Sequence, residues 1–379
     1  MMSSLSAANG NFAVNIFQKL NEDKKCNVFF SPLSISSALS MVYLGARGNT
    51  AAQMSQVLQL DRTKDAHTSF QSLLTEINKP GTDYLLRTAN RLYGEESFTF
   101  LQEFLESTKT YYHADSQPVD FSGKPEECRK EINDWVSQKT EGKILDLLPS
   151  NSVDSLTRLI LVNAIYFKGN WDKPFDKHST REMPFRLSKT ESKPVQMMFI
   201  DTEFPMTYVE SLKTKIVEVP YVNNELSMII MLPDDIEDGT TGLEKLEQEL
   251  TYGKFEEWTN PENMKRTELE LYLPKFKLEG EYNLNSVLSS MGMSDAFNKG
   301  NSDFSGMSGK RDLFLSKVVH KSFVDVNEEG TEAAAATGVQ IMLCCLKILP
   351  RVVCDHPFLF FIVHKQSHSI LFFGRFSSP

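Results

Sequence analysis

The residues of this 379-residue chain best suited to chemistry are five cysteines and seven histidines. The cysteines are Cys26, Cys128, Cys344, Cys345 and Cys354. No two of them form a Cys-x-x-Cys pair, so neither a redox dithiol nor a zinc-knuckle spacing is present. Adjacent Cys344 and Cys345 lack the glycine-rich frame or partner cysteines that a nucleophile or metal ligand needs. The histidines are His67, His113, His178, His320, His356, His364 and His368. His364 and His368 are spaced i,i+4, which on a helix aims two imidazoles at one metal. They flank a turn between two predicted strands, so they are read as solvated loop residues. There is no G-x-S-x-G elbow, H-E-x-x-H, G-x-G-x-x-G or G-x-x-x-x-G-K-[ST]. The expectation is no enzyme, no cofactor and no metal.

One stretch is unusual without being catalytic. "EEGTEAAAATGVQIMLCC" (328–345) carries four alanines between two glycines, then an apolar run into the two cysteines. In a strand, side chains alternate between faces. Thr331, Ala333, Ala335, Thr337, Val339 and Ile341 then share a small, uncharged face. Glu332, Ala334, Ala336, Gly338, Gln340 and Met342 share the other. A segment with such small side chains can slide between two existing strands, and Gly330 before it supplies a hinge. Alanine is also the best helix former. The tract alone therefore leaves strand, helix and solvated loop open.

The elements that would position this stretch are legible from periodicity. "NFAVNIFQKLNE" puts Phe12, Ile16, Phe17 and Leu20 on one helical face. Ser31-Pro32 opens a helix of small and apolar residues. "PEECRKEINDWVSQKT" has Pro125 in its first turn and a stripe of Ile132, Trp135 and Val136, predicting a surface helix. The first third of the chain reads as mostly helical, and strands dominate later. "RLILVNAIYF" (158–167) and "LSMIIMLP" (226–233) are continuous apolar runs, as in strands buried on both faces. "TELELYLPKFKLE" (267–279) alternates, with Leu269, Leu271 and Leu273 on one side. "FLFFIVH" (358–364) and "SILFFGRF" (369–376) close the chain. This predicts an α+β protein with large sheets.

Composition narrows the function classes. The chain is 41% hydrophobic and 24% charged, with a formal net charge of −10. That balance disfavours nucleic acid and anionic membrane as partners, and there is no dense basic helix of the kind heparin would need. No basic segment leads into a long apolar stretch at the N-terminus, and no apolar run reaches 18 residues. No Asn-x-Ser/Thr acceptor is present. With an odd, sparse set of cysteines, these features predict a reducing, cytoplasmic location.

The order of several stretches resembles the serpin family. They are "NVFFSPLSISSALSMVYLGARGNT" (27–50), "LVNAIYFKGNW" (161–171), "LPKFKLE" (273–279), "VVHKSFVDVNEEGTEAAAAT" (318–337), "DHPFLFFI" and "SILFFGRFSSP". The start and finish of the chain look like the intracellular, ovalbumin-like branch (clade B). The resemblance implies one domain over 1–379, with three sheets, about nine helices and an exposed reactive loop over about 328–352. It implies a suicide-substrate inhibitor that acts as a monomer. A serine protease cuts the loop and is trapped as a covalent acyl-enzyme while the loop inserts into the central sheet. The loop hinge becomes Gly330, Thr331, Glu332, Ala333, Ala334, Ala335 and Ala336. Counting from Gly330 puts the reactive bond at Cys344–Cys345, with Met342 or Leu343 as alternatives if the register slips. A small apolar Cys suits elastase-like pockets, and Met or Leu suits chymotrypsin-like or cathepsin G-like ones. Ser31, Ser34, Asn163, Trp171 and His320 fall in the region where the sheet opens, and Gly142 follows the surface helix that crosses it. A non-inhibitory serpin with a binding or structural role, and an inhibitor of cysteine proteases, are the alternatives.

Overall fold

The computed structural model describes residues 2–21, 25–329 and 348–379. The helices are α1 (Met2–Leu20), α2 (Pro32–Tyr43), α3 (Gly48–Val57), α4 (Ala66–Ile77), α5 (Gln102–Tyr112), α6 (Pro125–Lys139), α7 (Glu244–Glu249), α8 (Tyr252–Thr259), α9 (Asn285–Ser290) and α10 (Ser305–Ser308). The strands are β1 (Val28–Phe30), β2 (Tyr84–Glu95), β3 (Asp115–Val119), β4 (Leu159–Gly169), β5 (Arg181–Arg186), β6 (Ser192–Val209) and β7 (Thr214–Pro220). They continue with β8 (Leu226–Pro233), β9 (Lys265–Pro274), β10 (Phe276–Asn283), β11 (Leu315–Val326), β12 (Arg351–Val353), β13 (Phe358–His364) and β14 (Ser369–Phe376). Ten helices among the described residues agree with the expected nine or so.

The strands form two hydrogen-bonded sheets. One has five strands in the order β10-β11-β4-β2-β3. The other has nine, in the order β1-β14-β13-β8-β7-β6-β9-β12, with β5 on β6. The 18-residue β6 pairs with β5 and β9 in its first part and with β7 at its end. It therefore joins what count as two sheets, and the expected three are recovered when those halves are taken separately.

The sequence patterns explain most elements. Ser31 caps α2, its hydroxyl accepting from Ser34 N, and Pro32 occupies the first turn, where a missing N–H costs nothing. α2 buries every residue from Pro32 to Val42, which its small serines and alanine allow. Phe17 of α1 stacks on Phe373 of β14 at 4.3 Å, and Phe361 of β13 reaches the same ring at 4.3 Å. The aromatic run at the end of the chain is thus the centre of the core. "TELELYLPKFKLE" differs from its reading as one strand. Pro274 closes β9 and the chain restarts as β10 at Phe276, in the other sheet. A proline cannot donate to a ladder, so the run divides there.

Where the two sheets meet, β10 crosses β1 closely. A Cβ on Gly280 would sit 1.7 Å from the Phe29 carbonyl oxygen. Ser322 of β11 also donates to that carbonyl at 2.9 Å. No side chain fits between these backbones, which is why glycine stands at 280.

Candidate functional site

β4 and β11 lie side by side and parallel at the centre of the five-stranded sheet. They pair from Leu315 opposite Leu159 to Val324 opposite Phe167. Their outer neighbours β2 and β10 are antiparallel to them. Both strands of the seam therefore end at the same edge of the sheet. A segment turning back after β11 would run antiparallel to both, the pairing with the better hydrogen-bond geometry.

The middle of the seam is tied by polar groups on its core face. His320 of β11 is the register partner of Asn163 of β4. His320 Nδ1 lies 2.6 Å from Asn163 Oδ1, and Ser31 N donates to His320 Nε2 at 3.1 Å. Because Nε2 must accept, the proton is on Nδ1 and is donated to Asn163. Asn163 Nδ2 in turn donates to Ser34 Oγ at 2.7 Å, and Ser31 Oγ donates to Leu371 O at 2.6 Å. Full burial pushes the His320 pKa down to about 3, so the imidazole is neutral at any physiological pH. Four of the residues singled out from the sequence, Ser31, Ser34, Asn163 and His320, thus form one connected chain of bonds.

The end of the seam is tied separately. Trp171, just past β4, is 2% exposed and stacks on Tyr221 at 4.6 Å. Its indole N–H donates to Asn327 O at 2.8 Å, and its backbone N–H donates to Glu329 O at 3.2 Å. Trp171 is therefore apart from the His320 cluster but spans the two strands of the same seam. Glu328 completes this cap. Its carbonyl accepts from Phe175 N at 2.8 Å, and its carboxylate accepts from Thr180 Oγ1 at 2.8 Å and pairs with Lys275 at 3.1 Å. Burial alone would raise the Glu328 pKa. Hydrogen bonds from its own backbone N–H, Thr180 and Lys275 outweigh that and hold it below the usual value. Glu329 pairs with Lys177.

The outer face of the seam is covered by α6 and the loop after it. Ile132, Val136, Ile144 and Leu148 pack with Ala89, Ile160, Val162, Ala164 and Val319. Lys321 of β11 donates to Leu145 O at 3.1 Å and pairs with Glu279 at 2.7 Å. Gly142 takes a left-handed φ of 72° just beyond α6 and donates to Ser137 O. Any widening of the seam must slide this cover.

Glu328, Lys275, Thr180, Phe175 and Tyr221 were not singled out from the sequence. Glu328 and Lys275 stand in two of the quoted stretches, but nothing in either stretch says that they meet. His364 also differs from its reading as a solvated loop residue. It ends β13 buried, with Nδ1 2.7 Å from Ser367 Oγ, and burial lowers its pKa. His368, at φ 55° in the turn, is exposed.

Gly330, Thr331, Glu332, Ala333, Ala334, Ala335, Ala336, Met342, Leu343, Cys344 and Cys345 lie outside the described residues. The chain resumes at Ile348, whose side chain is 96% exposed, and enters β12. β12 pairs parallel to β9, and Arg351 anchors it through Glu270 at 2.7 Å and the Tyr272 hydroxyl at 2.8 Å. The segment 330–347 thus links the seam of one sheet to the edge of the other.

Comparison with known proteins places this architecture. The family model described as serpin (serine protease inhibitor) matches residues 7–379. Leukocyte elastase inhibitor of Equus caballus is 57% identical over 379 residues, covering all of both chains. Serpin B6 of Macaca fascicularis is 57% identical over 381 residues, again covering all of both. The solved structure of uncleaved ovalbumin superposes with a TM-score of 0.92 at 38% identity, covering 99% of this chain and 100% of that one. With a parallel central seam, a buried polar latch and a linking segment leaving its end, the chain belongs to the serpin family of serine protease inhibitors.

Proposed function

We propose that this chain, acting as a single domain and a monomer, is a suicide-substrate inhibitor of serine proteases with elastase-, chymotrypsin- or cathepsin G-like pockets. The observation that carries this reading is the parallel seam between β4 and β11, with the chain leaving β11 at the end where β4 also stops. A protease cutting at Cys344–Cys345, or at Met342 or Leu343, frees the upstream segment. That segment then enters the seam as an antiparallel strand, carrying the acylated protease with it. The small residues Thr331 and Ala333–Ala336 suit rapid entry, since each inward position must pass between closed strands. Release of Trp171 from Asn327 and Glu329, and separation of Asn163 from His320, accompany opening. The 57% identity to a relative named for elastase inhibition supports the elastase-like target class. The free thiols of Cys128 and Cys354 fit a cytoplasmic site of action.

The test mixes the protein with neutrophil elastase, cathepsin G and chymotrypsin and resolves the products on SDS gels. A band of summed mass that survives boiling is the expected result. Loop cleavage by all three without any such band overturns the reading for these enzymes. Mass spectrometry of the released C-terminal peptide identifies the bond.

A further inference from the structure

β2 pairs with β4 from Tyr84 opposite Gly169 to Gly94 opposite Leu159. On its other edge, β3 covers only residues 91–95. The Tyr84 carbonyl accepts from Thr82 Oγ1 at 2.9 Å. Among the described residues, no hydrogen bond reaches the outward backbone groups of residues 85–90. At ~3.3 Å per residue this bare edge is about 20 Å long, the length of an ordinary strand. An open edge is a template for one more strand unless a helix or loop covers it. Here it borders open space instead. Two adjoining cavities, of about 630 and about 260 Å³, run along it and share residues 77–80, Leu86 and Arg87 in their walls.

The two faces of the edge differ. Asn90 is the register partner of Asn163, whose side chain points into the core. Leu86, Thr88 and Asn90 therefore lie on the core side. There Leu74, Ile165 and Leu371 wall the larger cavity. Arg87 and Arg91 lie on the α6 side, Arg91 over the Trp135 ring and Arg87 beside Glu141. Lys139 of α6 lines the same cavity, exposed and with no ion pair among the described residues. The Arg87–Glu141 pair is exposed on both sides, so it holds Arg87 weakly. Asp115 is the single carboxylate lining either cavity. The edge is thus apolar below and cationic above, in a chain of net charge −10.

We propose that the free edge of β2 takes up an extended segment of a partner protein in which apolar and acidic residues alternate. The segment's backbone pairs with residues 85–90. Its apolar side chains turn into the cavity over Leu74 and Leu86. Its carboxylates, one residue out of step, point the other way to Arg87 and Lys139. In strand addition the main chain supplies affinity and the alternate side chains supply specificity.

The test titrates the full-length protein into the tagged peptide Ac-VEVEVE-amide and follows fluorescence anisotropy. One saturable site is expected, with amide hydrogen exchange slowed at residues 85–90. Replacing the three glutamates by lysines should weaken binding at least tenfold. Lys139→Glu, on an exposed side chain, should weaken it severalfold. Two further peptides are N-methylated on alternate amides, one on each set. A strand presents only one set to its neighbour, so one peptide should bind like its unmethylated parent and the other at least tenfold more weakly. Equal binding of the two methylated peptides overturns the proposal. So does Lys139→Glu binding as tightly as the unaltered protein, unchanged exchange at residues 85–90, or no saturable binding at all.

Discussion

His320 makes the most exact demand of any single residue here. Its neutral form both accepts from Ser31 N and donates to Asn163. Protonation removes the acceptor and places a charge in a fully buried site. The folded pKa of about 3 lies below the ordinary 6.5. The unfolded chain therefore binds the proton first as pH falls. The stability this group contributes is complete above pH 6.5 and is lost progressively between 6.5 and about 3. Between pH 7 and pH 5 the loss is about 2 kcal/mol. His320→Gln keeps an acceptor and a donor without the titration. Urea unfolding at the two pH values should show the parent losing about 2 kcal/mol more than the variant. Glu328 works in the opposite sense. Its lowered pKa contributes stability that is present above the ordinary 4.5 and lost as pH falls through the folded value. Glu328→Gln leaves Lys275 without its carboxylate and should cost about 1–3 kcal/mol at pH 7, read from the same unfolding curves.

At the level of elements, β10 and β1 approach as closely as they do only because residue 280 is a glycine. The Cβ of Gly280→Ala would meet a backbone carbonyl, not a side chain that can turn away. Overpacking of this kind costs about 3 kcal/mol or more, and calorimetry should show the midpoint falling by several degrees. The elements that could be read from the sequence are those whose side chains face one environment. β8 and β14 are buried throughout and β13 at all but Val363, and their apolar runs gave type and bounds directly. β2 was hidden within a third of the chain that reads as helical. "YLLRTANRLYGE" carries Arg87, Thr88, Asn90 and Arg91, which interrupt its apolar run over the part that is only partly buried. The site divides in the same way. Ser31, Ser34, Asn163 and His320 were placed by the family resemblance, and Trp171 with them. The partners that pin Trp171 and Glu328 arrive from distant segments, Tyr221 on one side and Lys275 on the other. No local pattern records such meetings.

For the whole molecule, the central question is whether the seam accepts a new strand. Insertion between β4 and β11 would exchange one parallel pairing for two antiparallel ones. About a dozen added backbone hydrogen bonds at ~1 kcal/mol net each give on the order of 10 kcal/mol. Unfolding entropy of about 2.1 cal/mol/K per residue comes to about 0.8 kcal/mol/K for a chain of 379 residues. The inserted form should therefore unfold on the order of 10 °C higher than the uncut form. The rise is an outcome that ordinary nicking does not produce, since a cut in an exposed segment leaves stability unchanged or lower. Differential scanning calorimetry before and after limited proteolysis within 338–345 measures it. Thr331→Arg puts a long cation at the first inward position of the entering strand. It should leave cleavage intact, remove the rise in midpoint and convert trapped protease into released, active protease. A cleaved parent with an unchanged midpoint would mean that the seam stays shut, and the Thr331→Arg variant should then behave like the parent in every assay.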